Sequence, residues 1–411
     1  TVNRPDCPRT VEQTDCRELI TMQNQIAALR DAFPGARNGI YLQTSASGLV
    51  PLAARDAMLR YLDGRIAEGG EETTMFAAVE RTRSKFADML GAAADEIAIV
   101  KSVSEGINLI VTSLPWQGGD NAVLCGDIEH PNSIYALYNM RARYGIDVRL
   151  VPPTANFATP IETIAQRIDD HTRLVLASSV TYTTGTRTDL DALAALRRRR
   201  AVLLLVDGAQ SIGALDLNTR STPIDAMTVG ASKYLCGPHG FGFLYVRREV
   251  ADTLQPGSLA RYGVDLGQAH EGDMGGEQYQ LMPGARRFEL GIYNFAGANA
   301  VEASLDLLTH VGIAAIEDHV LTLARSLTEG LLKLGLPVMS GRDDRHFSHV
   351  VVVGQVDPEP AMRLQLQGIM DHLSEQRVKL SMRRGRLRFS FHVYNTPQEV
   401  DAVLSMLGQK I

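Results

Sequence analysis

Two charged residues stand where the neighbouring sequence is apolar. Asp207 closes the run VLLLVD at 202–207, and Lys233 follows the segment MTVGAS at 227–232. Residues 202–206 are apolar at every position, the pattern of a strand covered on both faces. An ionised carboxylate at the end of such a strand must be paired to offset its desolvation. A lysine in that setting is costly unless it is neutral or covalently used, and a Schiff base uses it that way. Alone, Asp207 reads equally as a helix cap and Lys233 as a solvated residue. Placed 26 residues apart in consecutive β-units, they read as parts of one site.

The elements that must hold such a pair follow from periodicity. Residues 121–125, 173–177, 202–206 and 241–246 read as short strands, and 189–200 carries leucines at helical spacing. Strand–helix alternation from about 85 to 250 predicts an α/β fold with a mainly parallel sheet flanked by helices. Such sheets bind ligands beyond the carboxyl ends of their strands. Residues 100–110 (VKSVSEGINLI) read as a strand end, a turn and a helix opening near Glu105, with Ser104 as N-cap. Free N–H groups at that helix start suit a phosphate.

Beyond 255 the pattern changes. Residues 255–285 are Gly-rich and polar and read as a long surface loop near the site. Helices are expected at 295–310, 313–335 and 359–376, and strands at 348–353 and 386–391. The expected organisation is an N-terminal arm (1–37) packing on a small α+β domain (295–411), with the large domain at 38–294.

Composition narrows the function classes. Of 411 residues, 45% are hydrophobic and 21% charged, and the net charge of −6 disfavours a nucleic-acid binder. The arginines at 197–200 read as a solvated cap opposing a helix dipole. No apolar run approaches the roughly 20 residues that cross a bilayer. The cysteines at 7, 16, 125 and 236 have neither C-x-x-C nor metal-ligand spacing. No metal and no membrane partner is expected, and the expected location is cytoplasmic. A dinucleotide-binding G-x-G-x-x-G after a strand is missing. A non-enzyme scaffold would be expected to have lost Lys233 or Asp207.

The motifs DGAQ (207–210), SK (232–233) and GPHGFGFLY (237–245) together resemble the class V aminotransferase family of pyridoxal 5'-phosphate (PLP) enzymes. That family includes cysteine desulfurases, C–S lyases and isopenicillin N epimerase. The resemblance runs from about Tyr41 to Asn395, with its motifs in order. It implies PLP fold type I, PLP as cofactor, a small amino-acid substrate and a homodimer with shared active sites. By resemblance, Lys233 forms the Schiff base with PLP, Asp207 pairs with the pyridine nitrogen, Gln210 bonds the phenolic oxygen and His130 stacks on the ring. Val103, Ser104 and Ser232 match phosphate-contacting positions. Arg388 matches the arginine that grips the substrate α-carboxylate, with Arg386 as the competing residue on the same strand face. The TSAS segment at 44–47 matches a substrate-side loop, with Ser47 as its contact.

The sequence also departs from the family. Desulfurases carry a persulfide-forming cysteine before the carboxylate-binding arginine, yet 374–386 has none and no cysteine follows Cys236. A desulfurase is therefore disfavoured, and Cys236 itself reads as structural. Tyr182 stands where desulfurases have an asparagine, and can reach the ring oxygen, the substrate or a proton-transfer position. Ile292 replaces a threonine that reaches the neighbouring subunit's phosphate in relatives, a contact Tyr293 or Asn294 can take over. The expected reaction is α,β-elimination from an S-substituted cysteine, in secondary metabolism, with Lys233 as base. Epimerisation, transamination and decarboxylating deamination of a cysteine conjugate are the alternatives.

Overall fold

The computed structural model describes residues 26, 28–200, 202–267, 278–339, 344–355 and 358–410. The chain enters through β1 (Ile40–Tyr41) and then builds a central sheet from seven short strands. These are β2 (Ile97–Val100), β3 (Asn121–Cys125), β4 (Asp147–Val151), β5 (Thr172–Ser178), β6 (Leu203–Asp207), β7 (Ala226–Gly230) and β8 (Gly242–Val246). Their spatial order is β2-β8-β7-β6-β5-β3-β4. All but β8 run the same way, and β8 is antiparallel to both neighbours.

Burial explains why these strands read as continuous apolar runs. Every residue of β2, β3 and β8 is buried, as is β6 from Leu204 onward, because helices cover both faces. The edge strand β4 is different: Asp147 and Leu150 are exposed, so charge and apolar residues mix and its strand signal is weak. One face is packed by the Val103–Ser113 and Pro131–Tyr144 helices. Helix Phe295–Val311 packs against Leu52–Glu68 and Glu72–Leu90.

Beyond the sheet, β9 (Val264–Asp265) and β10 (Gln280–Leu281) pair antiparallel. The segment read as a loop at 255–285 thus contains a short ribbon, and its residues 268–277 lie outside the described residues. A second sheet has the order β11 (Val350–Val353), β14 (Arg386–Ser390), β13 (Ser381–Arg383). Helices Ile313–Lys333, Pro360–Glu375 and Pro397–Lys410 accompany it. Strand β12 (Val378–Lys379) pairs in parallel with β1, and Gln43 bridges to Ser390. Residues 40–45 therefore join the C-terminal strands, and the Ser45 carbonyl accepts from Gln210 just beyond β6 of the central sheet. Most of the expected N-terminal arm lies outside the described residues, but Arg30 pairs with Glu399 at 2.7 Å.

Two expectations need correction. The cap of the Val103–Ser113 helix is Ser102, whose hydroxyl accepts the Glu105 amide, and Ser104 lies one residue inside the helix. Arg197 is not a solvated cap: it pairs with the buried carboxylate of Asp225, which also accepts Arg247. No single described helix is long and apolar enough to cross a membrane.

Candidate active site

The carboxyl ends of the parallel strands converge on one place. Strand β6 ends in Asp207, β3 leads into the turn carrying His130, β5 leads to Tyr182, β2 leads to the Val103–Ser113 helix, and β7 leads to Lys233. Each polar residue follows an apolar strand, so the sheet itself sets their spacing.

Asp207 is buried, and its Oδ1 accepts the Ala209 amide at 2.9 Å. Burial pushes its carboxyl up, while the nearby Lys233 charge and the Ala209 N–H oppose the shift. Its backbone oxygen accepts from the Ser179 amide at 2.9 Å and the Ser179 hydroxyl at 3.1 Å. Lys233 lies in a turn between β7 and β8. Burial brings its ammonium down to about 8, with Asp207 pulling the other way and Arg388 and Arg383 adding to the fall. The Gly48 amide bonds the Ser232 carbonyl at 2.8 Å. A Cβ on Gly48 would come within 2.0 Å of the Lys233 carbonyl, which is why the loop following TSAS needs glycine there.

His130 caps the Pro131–Tyr144 helix, its Nδ1 accepting the Asn132 amide at 3.2 Å. Its ring meets Tyr182 edge-on with centroids 4.6 Å apart. Burial lowers its pKa, opposed by Asp207 and assisted by Lys233, Arg383 and Arg388. At the helix start opposite, the Val103 carbonyl accepts from Thr228 Oγ1, and Ser104 Oγ accepts from Asn132 Nδ2. Gly106 lets this helix close on the sheet, since a Cβ there would strike Thr228 Oγ1 at 2.3 Å.

Arg388 is 1% exposed. Its Nε donates to Ser381 Oγ at 3.1 Å and its Nη1 to the Tyr182 carbonyl at 2.9 Å. The guanidinium lies 5.3 Å from the Tyr182 ring centroid, and burial lowers its pKa to about 10. Its Nη2 has no partner among the described residues. Arg386, the competing arginine, donates from Nε to the Gln355 carbonyl at 2.7 Å. Gln210 donates to the Ser45 carbonyl at 3.1 Å, and its Oε1 is buried without a partner among the described residues. Ser47 accepts Tyr41 OH on its carbonyl at 2.7 Å. Ile292 lies 70% exposed at the rim of a cleft of about 270 Å³ shared with Lys101, Glu105 and Asn294.

Two residues escaped the sequence reading. Glu129, beside His130, is completely buried and accepts both the amide and the hydroxyl of Ser178. Arg383, on β13, acts electrostatically on Lys233, His130 and Arg388. The signal for Glu129 was a carboxylate wedged between an apolar strand and a helix start. For Arg383 the local sequence offered only one arginine among several.

The family model described as Aminotransferase class-V matches residues 40–403, and the chain belongs to that family. A probable cysteine desulfurase of Methanothermobacter thermautotrophicus is 27% identical, covering 93% of this chain and 96% of its own. The cystine C–S lyase C-DES, solved with its product cysteine persulfide, is 25% identical with a TM-score of 0.82, covering 91% of this chain and 98% of its own. A C-DES variant with glycine covalently linked to its PLP cofactor gives the same TM-score at 24% identity, with coverage of 92% and 98%. The fold is PLP fold type I, and the protein is a PLP-dependent enzyme of class V aminotransferase type. The residues present fit PLP. Gln210 Oε1 and Arg388 Nη2 are buried polar atoms without partners among the described residues, near the buried Asp207, the half-buried Lys233 it acts on and a helix N-terminus.

Proposed function

We propose that this enzyme is a C–S lyase that expels a thiol from an S-substituted L-cysteine by α,β-elimination. The observation that carries the reading is the conjunction of Lys233, whose pKa burial lowers to about 8, with the Nη2 of Arg388, unpartnered among the described residues. It is supported by the segment where a desulfurase would carry its sulfur-accepting cysteine. Here that segment forms β12 and β13, then a tight turn at Arg384 and Gly385 with φ of 48° and 74°.

On this reading Lys233 holds PLP covalently, and Asp207 pairs with its pyridine nitrogen. Gln210 bonds the ring oxygen, and His130 covers a ring face. Val103, Ser104 and Ser232 take the phosphate, the first two by the amides of the helix start. Bound PLP supplies the electron sink that makes the bonds to Cα labile. Arg388 would fix the α-carboxylate with its planar fork and so orient the substrate's Cα bonds. Lys233 Nζ, freed once the substrate amine displaces it, would take the α-proton and return a proton to the departing sulfur. The Cα–H and Cβ–S bonds break, a Cα=Cβ bond forms, and the three-carbon remainder takes up water to leave as pyruvate and ammonia. Ser47 and Tyr182 border the substrate, and a proton-transfer role for Tyr182 belongs to the epimerase alternative.

The reading includes a homodimer in the cytoplasm, with the exposed Ile292 and its cleft facing the second copy. Its place in secondary metabolism rests on the sequence expectation that the Gly-rich segment 255–285 would leave room for a bulky S-linked group.

The PLP-loaded enzyme is mixed with S-alkyl cysteines while pyruvate and free thiol are assayed. Stoichiometric pyruvate and thiol, abolished in Lys233→Ala, are expected. Carbon dioxide, an inverted α-centre or a keto acid that retains sulfur would replace elimination with one of the alternatives.

A further inference from the structure

We infer that the substrate carries a second anionic group on its side chain, and that Arg383 recognises it. This rests on the reading in which Arg388 takes the α-carboxylate. Successive side chains alternate along a strand, so Ser381 and Arg383 share a face of β13. Ser381 bonds Arg388 Nε, which puts Arg383 on the side of the sheet that Arg388 faces. The neighbouring Arg384 donates to the Asp127 carbonyl at 3.0 Å, docking the β13–β14 turn onto the loop that carries His130. Arg383 thereby stands on the face of the C-terminal sheet that Arg388 occupies, with its charge acting on Lys233, His130 and Arg388.

Its charge is not cancelled. Arg383 forms no ion pair among the described residues, and its Nη1 donates only to the adjacent Met382 carbonyl at 2.8 Å. The side chain is partly buried. Around it stand further cations, Arg386 opposite it in the β13–β14 register and Lys233 and Arg388 in electrostatic reach, with Asp207 acting on Lys233. One α-carboxylate satisfies Arg388 and leaves Arg383 without a counter-ion. A carboxylate or sulfonate at the far end of the substrate side chain supplies one, and the planar guanidinium suits either in two-pronged fashion. The substrate class is then an S-(carboxyalkyl)- or S-(sulfoalkyl)-cysteine rather than a purely apolar conjugate.

L-Glutamate and L-glutamine differ by one charge at nearly equal shape, and neither has a β-sulfur to eliminate. Their dissociation constants from the PLP-loaded enzyme are read from its visible absorbance. Glutamate should bind about tenfold or more tightly than glutamine. The ratio should fall to about unity in Arg383→Gln and stay intermediate in Arg383→Lys. Equal binding by the unmodified enzyme, or a ratio indifferent to Arg383→Gln, overturns the inference; the first needs no variant to fold. In parallel, pyruvate is assayed from S-carboxymethyl- and S-carbamoylmethyl-cysteine. A preserved glutamate preference without pyruvate supports Arg383 recognition and sinks elimination. Pyruvate from both cysteines at equal kcat/KM sinks Arg383 recognition and keeps elimination.

Discussion

Glu129 holds Ser178 through both of its carboxylate oxygens, Oε1 accepting the backbone amide at 2.7 Å and Oε2 the hydroxyl. Ser178 lies opposite Asp207 in the β5–β6 register, and the next residue of the Glu129 turn is His130. A single buried side chain therefore fixes the two strand ends from which His130 and Asp207 project.

Removing it strands two donors. Glu129→Ala leaves the Ser178 amide and hydroxyl without their acceptor, at a cost of about 2–4 kcal/mol. Glu129→Gln keeps an acceptor for the amide and should cost less than about 1 kcal/mol. Burial raises the Glu129 carboxyl to about 7 from its ordinary 4.5. The folded state thus binds the extra proton between those values, so this contribution is full below about 4.5 and is lost as pH rises through about 7. Urea unfolding of the wild type and Glu129→Gln across that range should show the wild type losing stability relative to the variant.

Lys233 provides a pH test with the opposite chemistry. Its amine is brought to about 8 from 10.5, so the neutral form accumulates well below the pH needed by an exposed lysine. Covalent capture of PLP by the apoenzyme, trapped with borohydride and assigned by peptide mass, should speed up with pH and level off above about 8. A rate that keeps climbing to about 10 would mean that the lysine is not desolvated.

Arg388→Lys keeps the charge and loses the fork. The lost two-pronged contact should raise KM for the amino acid about ten- to a hundredfold. Stability should change little in comparison, because Ser381 Oγ and the Tyr182 carbonyl can each still accept from an ammonium. A KM within about twofold of the wild type would assign the carboxylate to another residue.

Two glycines give a matched pair. Gly48→Ala drives a Cβ into the Lys233 carbonyl and should cost about 1–3 kcal/mol while weakening PLP binding. Gly64, in the exposed face of Leu52–Glu68, has no neighbouring atom within 4 Å of the place a Cβ would occupy. Gly64→Ala should stabilise by about 0.5–1 kcal/mol and leave PLP binding alone. Thermal melts and PLP titrations of both variants separate a local clash from a general effect of removing glycine.

The sequence made some of this site visible and hid the rest for identifiable reasons. Asp207 was legible because an unbroken apolar run ends in a carboxylate, a pattern that buried parallel strands produce directly. The helix beside it was legible but its cap was not. Ser102 and Ser104 are equivalent by composition, and only the extended backbone of Ser102, with φ of −164° and ψ of 163°, selects it. Arg386 and Arg388 share a strand face, and their separation came from what each meets: the Gln355 carbonyl in one case, Ser381 and Tyr182 in the other. The antiparallel direction of β8 has no local signature, since all of its residues are buried either way. The Ser178 partner of Glu129 lies 49 residues away, beyond the reach of any spacing rule.

That reversed strand has a mechanical consequence. Gly230 of β7 lies opposite Gly242 of β8, and the Ala231 amide bonds the Phe241 carbonyl at 3.0 Å. The stretch carrying Lys233 is therefore a loop closed at its base by rungs of the central sheet, with a second tie from Gly237 back to the Ala231 carbonyl at 2.8 Å. Amide exchange at Ala231 and Gly237 should proceed only through opening of the β7–β8 ladder, so the anchoring lysine stays in place for as long as the sheet survives and is released when it fails.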